Sequence, residues 1–169
     1  RRCGRPGVVR PKLPGLRLSG ESRTVSAARA GRIAAVHRAT TPRMEIFKEF
    51  RIEAAHRLPN VPPGHKCARL HGHSFRITIG VTGPVDPVQG WVRDFADIAQ
   101  AAAPLIEQLD HRYLNEIDGL ENPTSENLAI WIWQRLQDRL PGLSRVTIHE
   151  TCTSGCEYRG PRSGGTQSG

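Results

Sequence analysis

The stretch HGHSFRITIGV, residues 71–81, alternates strictly. His71, His73, Phe75, Ile77, Ile79 and Val81 share one side, while Ser74, Arg76 and Thr78 share the other. A period of two marks a strand with one buried face, and such a face must be covered by a second layer. Upstream, Ile46, Phe50, Ile52 and Ala54 repeat the pattern, with Lys48 the exception, in a strand predicted to end near His56. Residues 57–70, with LPNVPPGHKC at their heart, read as a loop from their proline and glycine content.

Downstream, Gly83-Pro84 and the DPVQG stretch turn the chain back through Trp91 and Val92, where a short returning strand is expected. Asp94 is a helix N-cap candidate, and Phe95, Ile98, Ala99, Ala102, Leu105, Ile106 and Leu109 follow helical spacing. Pro104 lies inside that helix and predicts a kink or break. Thr124 or Ser125 caps a second helix, striped by Leu128, Trp131, Ile132, Leu136 and Leu140 and stopped by Pro141-Gly142. A strand then places Val146, Ile148 and Glu150 on one face, and residues 157–159 add a brief last strand. The predicted class is α+β: an antiparallel four-stranded sheet with two helices on one face, in the order ββααββ.

The charge is unevenly placed. Of the 169 residues, the first 43 hold ten arginines and Lys12 against the single acid Glu21, a net of +10. Residues 44–169 then hold 13 basic and 15 acidic residues, a net of −2. The basicity therefore belongs to a leader, and no specific nucleic-acid partner is expected for the domain. Residues 1–43 have too little apolar surface to offset chain ordering and are expected to be disordered. Met44 is the only methionine and stands where the periodic sequence begins. Translated sequence upstream of the true start is therefore the favoured reading of 1–43, ahead of a basic tail or a transit peptide. The domain is expected over 44–160, with a flexible Gly/Ser tail at 161–169. No apolar run approaches the roughly 20 residues of a membrane-spanning helix. Cys3, Cys67, Cys152 and Cys156 are expected to be reduced, since the leader lacks the apolar centre of a secretory signal. Cys152 and Cys156 form CxxxC with no second pair and read as structural.

Residues two apart on a strand project to the same side, about 6.5–7 Å apart. His71 and His73 can therefore turn toward one ion, with Gly72 leaving room for close backbone approach. His56, ending the preceding apolar face, is the natural third ligand if the strands pair. Three imidazoles leave a fourth zinc position open, the catalytic rather than the structural pattern. Cys67 lies four residues before His71, flanked by Lys66 and Arg69, and cationic neighbours favour a reactive thiolate. It is a candidate reactive thiolate, an ordinary loop cysteine, or else a fourth ligand that closes the site. Asp110-His111 is a candidate carboxylate–imidazole pair. Glu150, on an apolar face, needs a partner: a ring with adjacent N–H donors, such as a 2-aminopyrimidinone, or an arginine at the sheet edge.

Six blocks carry a family likeness: FRIEAAHRLP (50–59), GHKCARLHGHSF (64–75), GWVRDFADI (90–98), LDHRYLN (109–115), ENPTSENLAIWIW (121–133) and HETCTSGCEYRG (149–160). Together they resemble the 6-pyruvoyltetrahydropterin synthase family. The nearest branch is the bacterial one that makes 6-carboxy-5,6,7,8-tetrahydropterin for queuosine biosynthesis. The likeness runs from about Glu45 to Gly160 and leaves out the leader. Only Ala68, Arg69 and Leu70 separate Cys67 from HGH, as in the carboxy branch, whereas the pyruvoyl branch usually has a longer spacer. Ala68 departs from the glycine common there.

The resemblance implies a T-fold, in which subunit sheets join into a barrel, two trimers stack as a hexamer and sites lie between subunits. It implies Zn²⁺ on His56, His71 and His73, Cys67 as base, Asp110 and His111 as proton relay, and Glu150 as pterin anchor. Lys66 and Arg69, by loop charge, are candidate partners of a triphosphate. The implied activity is that of a cytoplasmic lyase. It converts 7,8-dihydroneopterin triphosphate and water to 6-carboxy-5,6,7,8-tetrahydropterin, acetaldehyde and triphosphate. The alternatives are a pyruvoyl-forming synthase of the same fold and a non-catalytic zinc module.

Overall fold

The alternation at 71–81 belongs to one strand of a long antiparallel pair. In the computed structural model, which describes residues 41–161, β1 (Arg43–His56) and β2 (His71–Pro84) pair without a slip from Arg43 opposite Pro84 to His56 opposite His71. Phe75, Ile77, Ile79 and Val81 are at most 2% exposed, so the predicted inner face is the observed one. Each such side chain contributes about 1.5–3 kcal/mol by leaving water.

Two helices cover that face. Asp94 accepts the Ala96 N–H and starts α1 (Phe95–Leu109), which buries Ile98, Ala102, Leu105 and Leu109. The helix runs on through Pro104, contrary to the break considered from sequence. Thr124 accepts the Asn127 N–H and starts α2 (Ser125–Leu136), which buries Leu128, Trp131, Ile132 and Leu136. Leu140 is also buried but lies past the helix end.

Among the described residues the sheet has five strands rather than four, in the order β3-β1-β2-β4-β5. The added β3 (Arg112–Tyr113) runs parallel to β1 beside Ala54 and Ala55. It follows from a local clasp: the Glu53 N–H donates to Asp110 Oδ1 (2.9 Å), and the His111 N–H donates to the Glu53 carbonyl (2.6 Å). The element order is thus ββαβαββ, because β3 falls between the helices. β4 (Leu143–His149) pairs antiparallel with β2, and β5 (Gly155–Tyr158) with β4.

Trp91 and Val92 form no strand. The Asp86 N–H donates to the Trp91 carbonyl, and the Asp86 side chain accepts the Val88 and Gln89 N–H groups. The turn therefore satisfies itself instead of joining the sheet. Among the described residues no helix is long and apolar enough to cross a membrane. The predicted leader at 1–43 lies outside the described residues up to position 40, as does the predicted tail from position 162.

Candidate metal centre

At one end of the β1–β2 pair the apolar alternation runs out onto histidines. His56 closes β1, His71 opens β2 directly opposite, and His73 sits opposite Ala54. His56 is fully buried. Its Nδ1–H donates to the Pro123 carbonyl (2.9 Å), and the His71 Nδ1–H donates to the Arg69 carbonyl (2.8 Å). A carbonyl only accepts, so the proton of each ring stands on Nδ1 and leaves the Nε2 lone pair free. Those two Nε2 atoms are 3.1 Å apart.

His73 Nε2 lies 2.9 Å from Glu150 Oε1, yet it is a buried nitrogen with no aligned hydrogen-bond partner. The same oxygen lies 3.8 Å from His56 Nε2. Burial, the largest cause, holds both the His56 and His73 imidazoles below their ordinary range, and charge on His71 adds to this. Glu150 works against it at both rings, joined at His56 by the Pro123 carbonyl.

Four residues able to ligate a metal thus converge, with His73 and Glu150 at ion-pair distance. Ligand atoms from His56, His71, His73 and Glu150 all lie within 4.8 Å of one another. A tetrahedron with bonds of about 2.0–2.1 Å has edges of about 3.3 Å. The observed separations of 2.9, 3.1 and 3.8 Å bracket that edge. Imidazole nitrogen and carboxylate oxygen suit a divalent ion such as zinc, and these residues can hold one.

Cys67 stands on a 3₁₀ turn, Lys66–Ala68, whose base is tied down by the Leu58 N–H donating to the Cys67 carbonyl (2.8 Å). With Lys66, His71, His73, Glu150, Thr151 and Ser154 it lines a pocket of about 430 Å³. Thiol and imidazoles therefore face one space, although Cys67 is not among the four converging donors. Arg69 does not line this pocket; its carbonyl is what orients His71.

Asp110 and His111 do form a pair, His111 Nδ1 to Asp110 Oδ2 at 3.0 Å. The Glu53 N–H first, and His111 second, hold the Asp110 carboxyl below the usual carboxylate range. His111 has φ +56°, a conformation few side chains adopt and one found at functional sites. Its pocket, about 530 Å³, is lined with Glu53, Gly72, Ser74, Arg112 and Tyr113 and shares only His73 with that of Cys67. Within one chain the pair and the thiol are not brought together.

Glu150 is the first residue past β4 rather than part of it. The Ser125 hydroxyl donates to its Oε2 at 2.9 Å. With Thr124, Ser125, Glu126 and Cys156 it lines a further pocket of about 240 Å³. Pro123 and Ser125 are contributors that sequence reasoning missed. The ENPTSENL block places both at the start of α2, where a hydroxyl in the sequence signals a cap and nothing more. Cys152 is exposed, so only Cys156 packs against the core. Burial first, and then the Glu126 charge, push the Cys156 thiol up.

Fold and site together define an α+β protein with a three-histidine, one-carboxylate centre at the rim of its sheet. The model of the 6-pyruvoyl tetrahydropterin synthase family matches residues 45–161, and the chain belongs to that family. It is 46% identical over 123 residues to the 6-carboxy-5,6,7,8-tetrahydropterin synthase of Synechocystis sp., covering 69% of this chain and 94% of that protein. It is 38% identical over 91 residues to the dihydroneopterin monophosphate aldolase of Pyrococcus furiosus, covering 52% and 76%. Among solved structures, the 6-pyruvoyl tetrahydropterin synthase of Caenorhabditis elegans superposes with a TM-score of 0.66 at 28% identity, covering 72% and 98%.

Proposed function

We propose that this protein is a cytoplasmic, zinc-dependent 6-carboxy-5,6,7,8-tetrahydropterin synthase. It would convert 7,8-dihydroneopterin triphosphate and water to the 6-carboxy product, acetaldehyde and triphosphate, on the route to queuosine. The observation that carries the reading is the cluster of His56, His71, His73 and Glu150, of which His71, His73 and Glu150 also line the pocket of Cys67. The 46% identity to the Synechocystis enzyme favours the carboxy product over the pyruvoyl one.

His56, His71 and His73 would hold Zn²⁺ in this reading, and the bound ion would supply Lewis-acid chemistry. The Glu150 carboxylate accepts the adjacent N–H donors of the pterin ring, fixing the ring beside the pocket. Cys67 Sγ takes a proton from the side chain. Asp110 Oδ2 holds the proton of His111 on Nδ1, so Nε2 is free to pass protons on. Lys66, which lines the pocket, would meet the triphosphate in this reading, and Arg69, which does not line it, is a weaker candidate.

Cys67 and the Asp110–His111 pair line different pockets of one chain. The proposal therefore has a neighbouring subunit complete each site, in a homohexamer built as a dimer of trimers. Unpaired strand edges favour assembly: among the described residues β1, beyond β2, pairs only at Ala54 and Ala55, and β5 pairs only with β4. One observation favours the non-catalytic alternative, namely that four protein donors rather than three converge, as in closed structural sites.

Mass-spectrometric analysis of products from the zinc-loaded protein and 7,8-dihydroneopterin triphosphate tests the proposal. A 6-carboxy product with acetaldehyde is expected. A 6-pyruvoyl product would assign the other branch, and absence of turnover would leave the zinc module.

A further inference from the structure

One half-buried amide joins the metal centre to the turn that carries Cys67. Asn115 stands on a 3₁₀ turn, Leu114–Glu116, directly after β3. Its Oδ1 accepts the Arg57 N–H (2.9 Å), and its Nδ2 donates to the carbonyls of Arg57 (2.9 Å) and Glu121 (3.0 Å). One donor and two acceptors face the amide, so its orientation is fixed: only the oxygen can meet the Arg57 N–H. The side chain pairs with Arg57 as the backbone of a neighbouring strand would, along the edge that β3 covers at Ala54 and Ala55.

Arg57 lies between two residues that the site needs. His56, before it, belongs to the metal-ligating cluster, and the Leu58 N–H, after it, donates to the Cys67 carbonyl (2.8 Å). Among the described residues, that is the one backbone bond joining the start of the 57–70 loop to its end. The place of the thiol therefore depends on where Leu58 leaves the sheet. Glu121 lies two residues before Pro123, whose carbonyl accepts the His56 Nδ1–H. A single amide thus holds both the strand exit that carries His56 and the segment that orients its ring.

We propose that Asn115 is a positioning residue for both halves of the site, holding the His56 imidazole and the Cys67 turn in place through the exit of β1. The positioning rests on geometry alone, whereas its effect on turnover rests on the pterin reading. An aspartate of the same shape keeps the acceptor for Arg57 but sets a carboxylate against two carbonyls. The role therefore needs an amide and not its shape alone.

Hydrogen exchange of the full-length protein, resolved at single residues by mass spectrometry, tests the proposal. In Asn115→Ala the Leu58 amide is expected to exchange about tenfold faster or more, beyond any change at Ile77 and Ile79 in β2, which report global stability. Asn115→Asp is expected to give the same pattern and keeps the test intact if the alanine variant folds poorly. Equal acceleration at Leu58 and in β2 would mean a general loss of stability and would overturn the proposal.

Competition for Zn²⁺ with a chromophoric chelator reads the His56 half. Both variants are expected to bind the ion about 10–100-fold more weakly, the usual effect of losing a group that orients a metal ligand. Wild-type zinc affinity in a folded variant would overturn the role at His56. With 7,8-dihydroneopterin triphosphate, kcat is expected to fall more than KM changes, because Asn115 lines neither the Cys67 pocket nor the His111 pocket. If the wild-type protein turns over no pterin triphosphate while exchange and zinc affinity change as expected, the pterin reading fails and the positioning role stands.

Discussion

His56 and His71 meet across the β1–β2 pair with their Nε2 atoms 3.1 Å apart and both Nδ1 protons committed to backbone carbonyls. Neither nitrogen has a proton to offer the other, and His56 is fully buried. A bound divalent ion relieves this contact, so metal and folding are linked. With free Zn²⁺ at about a hundred times Kd, the native state gains about 2.7 kcal/mol, or a Tm rise on the order of 5–10 °C for a domain of this size. Chelator treatment followed by calorimetry with and without Zn²⁺ checks this. A Tm that ignores the metal would mean that these rings are a satisfied polar cluster.

Cys67 shares the pocket with the imidazoles but stands outside the set of converging donors. Cys67→Ala is therefore expected to retain its metal while losing turnover by about 10²–10⁴-fold, the usual contribution of a positioned proton-transfer group. His71→Ala is expected to lose both. Metal content by elemental analysis, measured beside product formation, separates the two. Release of the metal from Cys67→Ala would make the thiol a ligand.

How far the site is legible in the sequence depends on which contacts are local. One period of two sets the core face of β2 and also carries His71 and His73 onto it, so pattern and chemistry are read together. His56 follows because strand pairing brings β1 alongside. Pro123 and Ser125 are different. Pro123 reaches His56 across 67 residues of sequence, and it does so through a carbonyl, which every residue has. Ser125 resembles any hydroxyl at a helix start until the fold brings Glu150 against it. β3 is two residues long, below any periodicity, and exists because Asp110 and His111 clasp Glu53. The Asp110–His111 pair is legible as a pair, but its separation from Cys67 is a property of the fold alone.

The Asp110 carboxyl is held below the usual range chiefly by the Glu53 N–H, with His111 second. A carboxylate whose pKa is lower in the folded than in the unfolded chain stabilises the fold above the unfolded value of about 3.9, and that contribution fades as pH falls through the folded value. NMR titration of the side-chain carboxyl is expected to show its midpoint below that of an ordinary aspartate. In His111→Ala the midpoint should rise only part of the way, because the larger cause remains. A full return to the ordinary value would make the imidazole, not the backbone clasp, the dominant partner.

Thr124 and Ser125 are adjacent hydroxyls with different tasks. Thr124 Oγ1 accepts the Asn127 N–H and caps α2, whereas the Ser125 hydroxyl donates to Glu150 Oε2 and is itself buried. Loss of a cap of this kind costs about 1 kcal/mol of stability. Loss of a hydrogen bond to a charged group costs about 1.5–3 kcal/mol, here felt at the carboxylate proposed to hold the ring. Thr124→Ala is therefore expected to lower stability by about 1 kcal/mol in denaturant titration. Ser125→Ala keeps the cap and is expected to raise KM for the pterin triphosphate by about tenfold or more, with a smaller change in kcat. Equal KM increases in both variants would mean that helix placement, and not the Ser125–Glu150 bond, governs how the carboxylate meets its ligand.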